Sequence, residues 1–100
     1  RRHMRNFRAA EDVLTRVGGA GELTETARTR IVGQLARVAH ASPSAFQSLF
    51  GSGAALRTLA DVRARIDALI ASPEGSGQSA QLGRALRSFT RALDEDATRA

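Results

Sequence analysis

Bulky apolar residues in this chain recur every three or four positions and do not alternate, and that spacing narrows the fold more than any other feature. Ala27, Ile31, Leu35 and Val38 follow this rhythm. So do Leu59, Val62, Ile66, Leu69 and Ile70, and again Leu82, Leu86, Phe89 and Leu93. The spacing stacks side chains along one side of an α-helix, whereas a half-buried strand needs a period of two. Runs of alternating β-branched residues are absent from the sequence. The expected fold is all-α: a compact antiparallel bundle of five to six short helices joined by tight turns around one core.

Local signals divide the chain. Phe7, Ala10, Leu14 and Val17 share one face of a first helix over about 6–17, which Gly18-Gly19 stops. The preceding Arg1-Arg2-His3-Met4 reads as a vector remnant, leaving 5–97 as a single domain. Thr24 is placed to cap a second helix over about 24–40, with Glu25 at the positive end of its dipole and Val32 and Ala39 widening its stripe. Ser42-Pro43 is the sharpest signal. Serine caps, and proline stands at the first helical position, where its missing N–H costs nothing. Phe46, Leu49 and Phe50 then form the apolar face of a helix of about two turns, closed by Gly51. A fourth helix starts at Ser52 or at Thr58; the second choice follows from Thr58 and Asp61, which match a capping pattern. Arg57–Asp61–Arg65 and Arg63–Asp67 fall at i, i+4 on its outside. Ser72-Pro73 ends it, and the polar segment 72–80 is a loop. The last helix covers about 79–94. Asp94, Glu95 and Asp96 oppose the dipole at its end and predict fraying.

Composition excludes more than it assigns. One hundred residues make one domain. Hydrophobic residues are 42%, but nineteen are alanine, leaving twenty-three larger ones. Each of these, fully buried, contributes roughly 2 kcal/mol, against about 1–2 kcal/mol to order each residue. A core this modest leaves apolar surface for a partner or a second copy to complete. With no cysteine, disulfides and thiolate metal sites are excluded. All fifteen basic residues are arginine, so neither a Schiff-base lysine nor a P-loop lysine exists. The glycine clusters follow helices, so the strand–loop–helix context of a phosphate cradle is missing. His40 suits a helix C-terminus for the dipole alone, and no spacing brings an acid to His40 and Ser42. The expectation is therefore no catalytic residues, no cofactor and no metal site. No apolar run approaches a membrane span and no signal peptide is visible, which predicts a cytoplasmic protein without membrane contact. Alanine- and arginine-rich, lysine-free usage fits a GC-rich bacterial gene.

Charge patterning gives the leading functional expectation. Arg84, Arg87 and Arg91 form a stripe on the last helix, away from its leucines. Arg30 and Arg37, with Gln34 between them, form another on the second helix. The acids Glu11, Asp12, Glu22 and Glu25 cluster early in the chain. Opposite patches on one small domain suit binding to another protein or to a second copy. In its helix number, brief third helix and charged exterior the chain resembles the death-fold adaptor class. That resemblance implies recruitment or self-association, within a larger protein or a multi-component system.

A second expectation is DNA binding. "LARVAHASPSAFQSLFGSGAAL" (35–56) resembles the helix-turn-helix of repressors of the TetR type and, more loosely, the Cro type. The resemblance implies that Leu35 to His40 ends a supporting helix and that Ser42, Pro43 and Ser44 open the recognition helix. Gln47 and Ser48 would then face the groove of a regulator's DNA site. The pattern departs at His40-Ala41, where glycine is usual, and places no arginine between Val38 and Leu56. The net charge of +5 is +3 without Arg1 and Arg2. The plainer reading of the same segment is a corner, with Phe46, Leu49 and Phe50 as core plugs. Ala60, Ala64, Ala68 and Ala71 add a further option: close helix contact in a homodimer, or simply neutral helix formers.

Overall fold

The computed structural model describes residues 2–18, 20–51, 56–71 and 80–97. These form α1 (Arg2–Arg16), a 3-10 turn (Ala20–Glu22), α2 (Glu25–Ala41), α3 (Pro43–Phe50), α4 (Leu59–Ala71), α5 (Ala80–Ala92) and a π-helical turn (Leu93–Ala97). The chain is all-helical, with no strand among the described residues. Its radius of gyration is 12.4 Å, which matches the ~13 Å of a compact chain of this length. No helix among the described residues is long and apolar enough to cross a membrane. The segments 52–55 and 72–79, which include the alternative start at Ser52 and most of the expected loop, lie outside the described residues, as do 98–100.

Side-chain caps set the helix starts. Thr24 Oγ1 accepts from the Ala27 N–H at 3.0 Å at the head of α2. Ser42 Oγ accepts from the Ala45 N–H at 3.1 Å at the head of α3. The Ser42 N–H donates to the Val38 carbonyl at 3.0 Å, so this one residue ends α2 and begins α3. At α4 the Asp61 N–H donates to Thr58 Oγ1 at 3.2 Å, and Asp61 Oδ2 accepts from the Thr58 and Arg57 N–H groups at 3.1 and 2.9 Å. This reciprocal box satisfies donors that a helix start leaves orphaned, and it settles the start of α4 in favour of Thr58. It also corrects the expected Arg57–Asp61–Arg65 pairing, because the backbone takes the carboxylate. The Arg63–Asp67 pair forms, at 3.2 Å. α1 starts at Arg2, ahead of the expected start near Asn6, and takes in residues 2–4 of the segment read as a remnant; residue 1 lies outside the described residues.

α2 is the hub. It packs against α1, α3 and α5 and buries Ala27, Ile31, Val32, Leu35, Ala36, Val38 and Ala39. α1 contributes Ala10, Val13, Leu14 and Val17, and α5 contributes Leu82, Ala85, Leu86, Phe89 and Ala92. Phe50 of α3 meets Phe46 and Phe89 edge-on, with ring centroids 5.3 and 6.5 Å apart, an arrangement that adds to plain area burial. Arg16 of α1 donates to the Phe50 carbonyl at 2.8 Å and so satisfies the end of α3. α4 behaves differently. It buries only Val62 and Ile66 fully, Leu59 and Leu69 are partly covered, and Ile70, expected inside, is 40% exposed. Its main neighbours are α5 and the π turn, too little surface to cover the whole stripe.

Gly18 does more than stop α1. Its N–H donates to the Arg57 carbonyl at 2.7 Å, and a Cβ there would overlap that same oxygen. Only glycine lets the two backbones approach so closely.

The expected fraying of the acidic end is not found through Ala97. Asp94 ion-pairs with Arg63, and Glu95 Oε2 lies 3.9 Å from Arg30 Nη1. Arginines from α4 and α2 offset the unfavourable dipole, an effect local sequence does not reveal.

Candidate functional site

The apolar stripes of α2 and α5 face the same core, which brings the flanks of those stripes together as two walls. On α2 the flank carries Arg30, Gln34, Arg37 and His40; on α5 it carries Gln81, Arg84, Ser88 and Arg91. Each set follows three- and four-residue steps, so each lies along one side of its helix. Two hollows open in the seam between them. One, of about 230 Å³, is lined by Arg30, Gln34, Ser88, Arg91, Ala92 and Glu95. The other, of about 280 Å³, is lined by Arg37, His40, Gln81, Arg84 and Ala85. Numbers climb along the α2 wall as they fall along the α5 wall, so at this seam the helices run in opposite directions.

The two basic stripes expected from the sequence are thus opposing walls of one feature. Arg30 shares a hollow with Arg91, and Arg37 shares one with Arg84. Arg87 does not join them. Its guanidinium folds back along α5, with Nη1 3.4 Å from where a Cβ on Gly83 would stand. The hollows also differ in charge. The first holds a carboxylate of its own, Glu95, near Arg30; both side chains are about half exposed (53% and 51%), so the pair is worth at most about 1 kcal/mol. The second has no acid among its lining residues, and its floor is the buried methyl of Ala85.

The acids lie on three elements. Glu11 and Asp12 are exposed on α1, and Glu22 is exposed in the 3-10 turn. Glu25 sits in the first turn of α2 and lines a shallow hollow with Thr26, Thr29 and Arg30. Only Glu25 is thereby placed beside the seam. The residues expected to face DNA lie on α3. Ser42 Oγ is engaged as a cap and stands 3.3 Å from Ser44 Oγ; Ser44, Gln47 and Ser48 are exposed, and α3 carries no basic residue. Ala60, Ala64, Ala68 and Ala71 are exposed on α4. No group of three or more His, Cys, Asp or Glu side chains among the described residues could hold a metal ion.

Sequence reasoning named the arginines of the seam but gave His40, Gln81 and Ser88 no part in it. The signal was present: Arg37 and His40, like Gln81 and Arg84, stand at i, i+3 and share a helix flank. No protein-family model matches the chain, and no curated protein or solved structure is significantly similar to it.

Proposed function

We propose that this domain is a non-catalytic protein–protein interaction module, and that the arginine-lined α2–α5 seam is its contact surface. The observation that carries the reading is the convergence of Arg30, Arg37, Arg84 and Arg91, from two helices, on one seam. Guanidinium groups present flat forks of donors that match carboxylates two bonds at a time, so the seam fits an acidic surface. That surface belongs to a partner or to a second copy, for which Glu11, Asp12, Glu22 and Glu25 supply the opposite charge. The opposed numbering of the seam walls fits an antiparallel bundle. A short α3 between longer helices is the point of likeness to the death-fold adaptor class, whose members recruit one another. We place the domain within a larger bacterial cytoplasmic protein or assembly.

The helix-turn-helix reading has less support. α2 and α3 are joined through Ser42 alone, whereas that motif uses a turn of about three to four residues. The supposed reading helix has no positive charge to meet phosphates.

Sedimentation velocity over a concentration series tests self-association, and titration with a poly-glutamate peptide tests partner binding, each at low and moderate salt. Association or peptide binding that weakens with salt, and is lost in Arg30→Ala/Arg37→Ala and Arg84→Ala/Arg91→Ala variants, is the expected result. A clean monomer that ignores the peptide even at low salt overturns the proposal. Binding of duplex DNA that persists at moderate salt transfers the seam to nucleic acid.

A further inference from the structure

We infer that the hollow between Arg37, His40, Gln81 and Arg84 is a binding site for a phosphate monoester group, of the kind carried by a phosphorylated serine or threonine on a partner segment. The inference rests on the interaction reading for the source of the phosphate, but not for the binding itself.

Four observations carry it. First, the wall is donor-rich: two guanidiniums, a carboxamide and an imidazole line it, with no acid among them. Second, the spacing is right for convergence. Arg37 and His40 are i, i+3 on α2, as are Gln81 and Arg84 on α5, so each pair has Cβ atoms about 5–6 Å apart. Packed helices typically lie about 8–10 Å apart axis to axis, and α2 packs directly on α5. Long arginine side chains on such a frame close around a single tetrahedral group. Third, the small buried Ala85 forms the floor and leaves room above it. Fourth, the other hollow shows what such a site attracts. There Glu95 of the chain itself sits by Arg30, in a hollow shared with Arg91. The Arg37–Arg84 hollow is the equivalent place without a carboxylate among its lining residues.

Charge selects the ligand. A phosphate monoester carries about −1.5 to −2 at neutral pH and three acceptor oxygens. Two guanidiniums match that charge, whereas a carboxylate or a phosphodiester offers only a single negative charge. Helix dipoles do not decide the matter. The first turn of α5, with Gln81, is positive, but the last turn of α2, with His40, is negative, and half-charges of opposite sign largely cancel. The full charges of Arg37 and Arg84 remain.

The test is an NMR titration of the intact domain with inorganic phosphate and O-phosphoserine, following arginine Nε–H, glutamine amide and imidazole signals. A glutamate-rich peptide and a short duplex DNA serve as parallel titrants at matched ionic strength. Phosphate and phosphoserine are expected to move Arg37, Arg84, Gln81 and His40 saturably. Arg37→Gln or Arg84→Gln then weakens binding about tenfold, the scale of one lost charge-assisted hydrogen bond. Arg8→Gln, at an exposed arginine of α1 that lines neither hollow, changes it less than about twofold, since independent sites contribute separately. The inference is overturned if phosphate moves exposed arginines elsewhere on the surface, Arg8 and Arg57 among them, as much as Arg37 and Arg84. It also fails if the glutamate peptide or the duplex binds the hollow as tightly as phosphoserine does. Peptide docking along the seam with no phosphate response sinks this inference alone; a phosphate response in a domain that stays monomeric and ignores the peptide overturns the interaction reading, and with it the partner as source of the phosphate, but leaves the site.

Discussion

α2 and α4 have almost equally clear apolar stripes in the sequence, yet the folded chain treats them differently. α2 buries seven residues and touches three other helices. α4 buries two, and leaves Ile70 at 40% exposure. Periodicity therefore says which side of a helix turns inward, but not how much of that side finds cover. Cover depends on how many neighbours the topology supplies. α2 runs through the middle, while α4 leans on the end of α5 and the turn beyond it. The arginine seam lies on the well-covered pair, α2 and α5, so its walls stand on the helices that bury the most side chains among the described residues.

Truncations sharpen this contrast. Leu35→Ala, at the hub of the core and 1% exposed, is expected to cost about 3–5 kcal/mol in denaturant unfolding, and α1, α2 and α5 to loosen together. A loss below about 1 kcal/mol would break the claim that α2 is the hub. Ile66→Ala removes the best-buried side chain of α4 and is expected to cost about 2 kcal/mol, near the lower bound for such changes, because the thin α4 contact collapses easily. Hydrogen exchange should rise in α4 well before it rises in α2; uniform acceleration would show that the two regions are one cooperative unit. Ile70→Ala is expected to stay within about 0.5 kcal/mol of wild type, and a larger loss would mean that the end of α4 is covered after all.

Much of the fold was legible because it is written in neighbouring residues. Thr24, Ser42-Pro43 and Thr58–Asp61 act as the caps their side chains suggest, and the stripe of α2 is buried as its spacing implies. What stayed hidden depends on residues far apart in sequence. Nothing near Asp94 predicts Arg63, and nothing near Phe50 predicts that Arg16 completes its carbonyl. The site shows the same division. Arg30 and Arg37 announce a stripe, as do Arg84 and Arg91, but their meeting depends on how α2 and α5 pack. Arg87 obeys the sequence rule for its stripe and still stands aside, because its side chain lies over Gly83.

The π turn at Leu93–Ala97 has a consequence for how the molecule responds to its surroundings. Two consecutive acids there hold different helices: Asp94 holds Arg63 of α4, and Glu95 reaches Arg30 of α2. These fastenings are solvent-facing and ionic, so dissolved electrolyte screens them, while the apolar contacts of α2 with α5 carry no charge to screen. Raising ionic strength thus loosens the hold of the π turn on Arg63 and Arg30 by at most about 1 kcal/mol each, while the buried Val62 and Ile66 keep α4 seated.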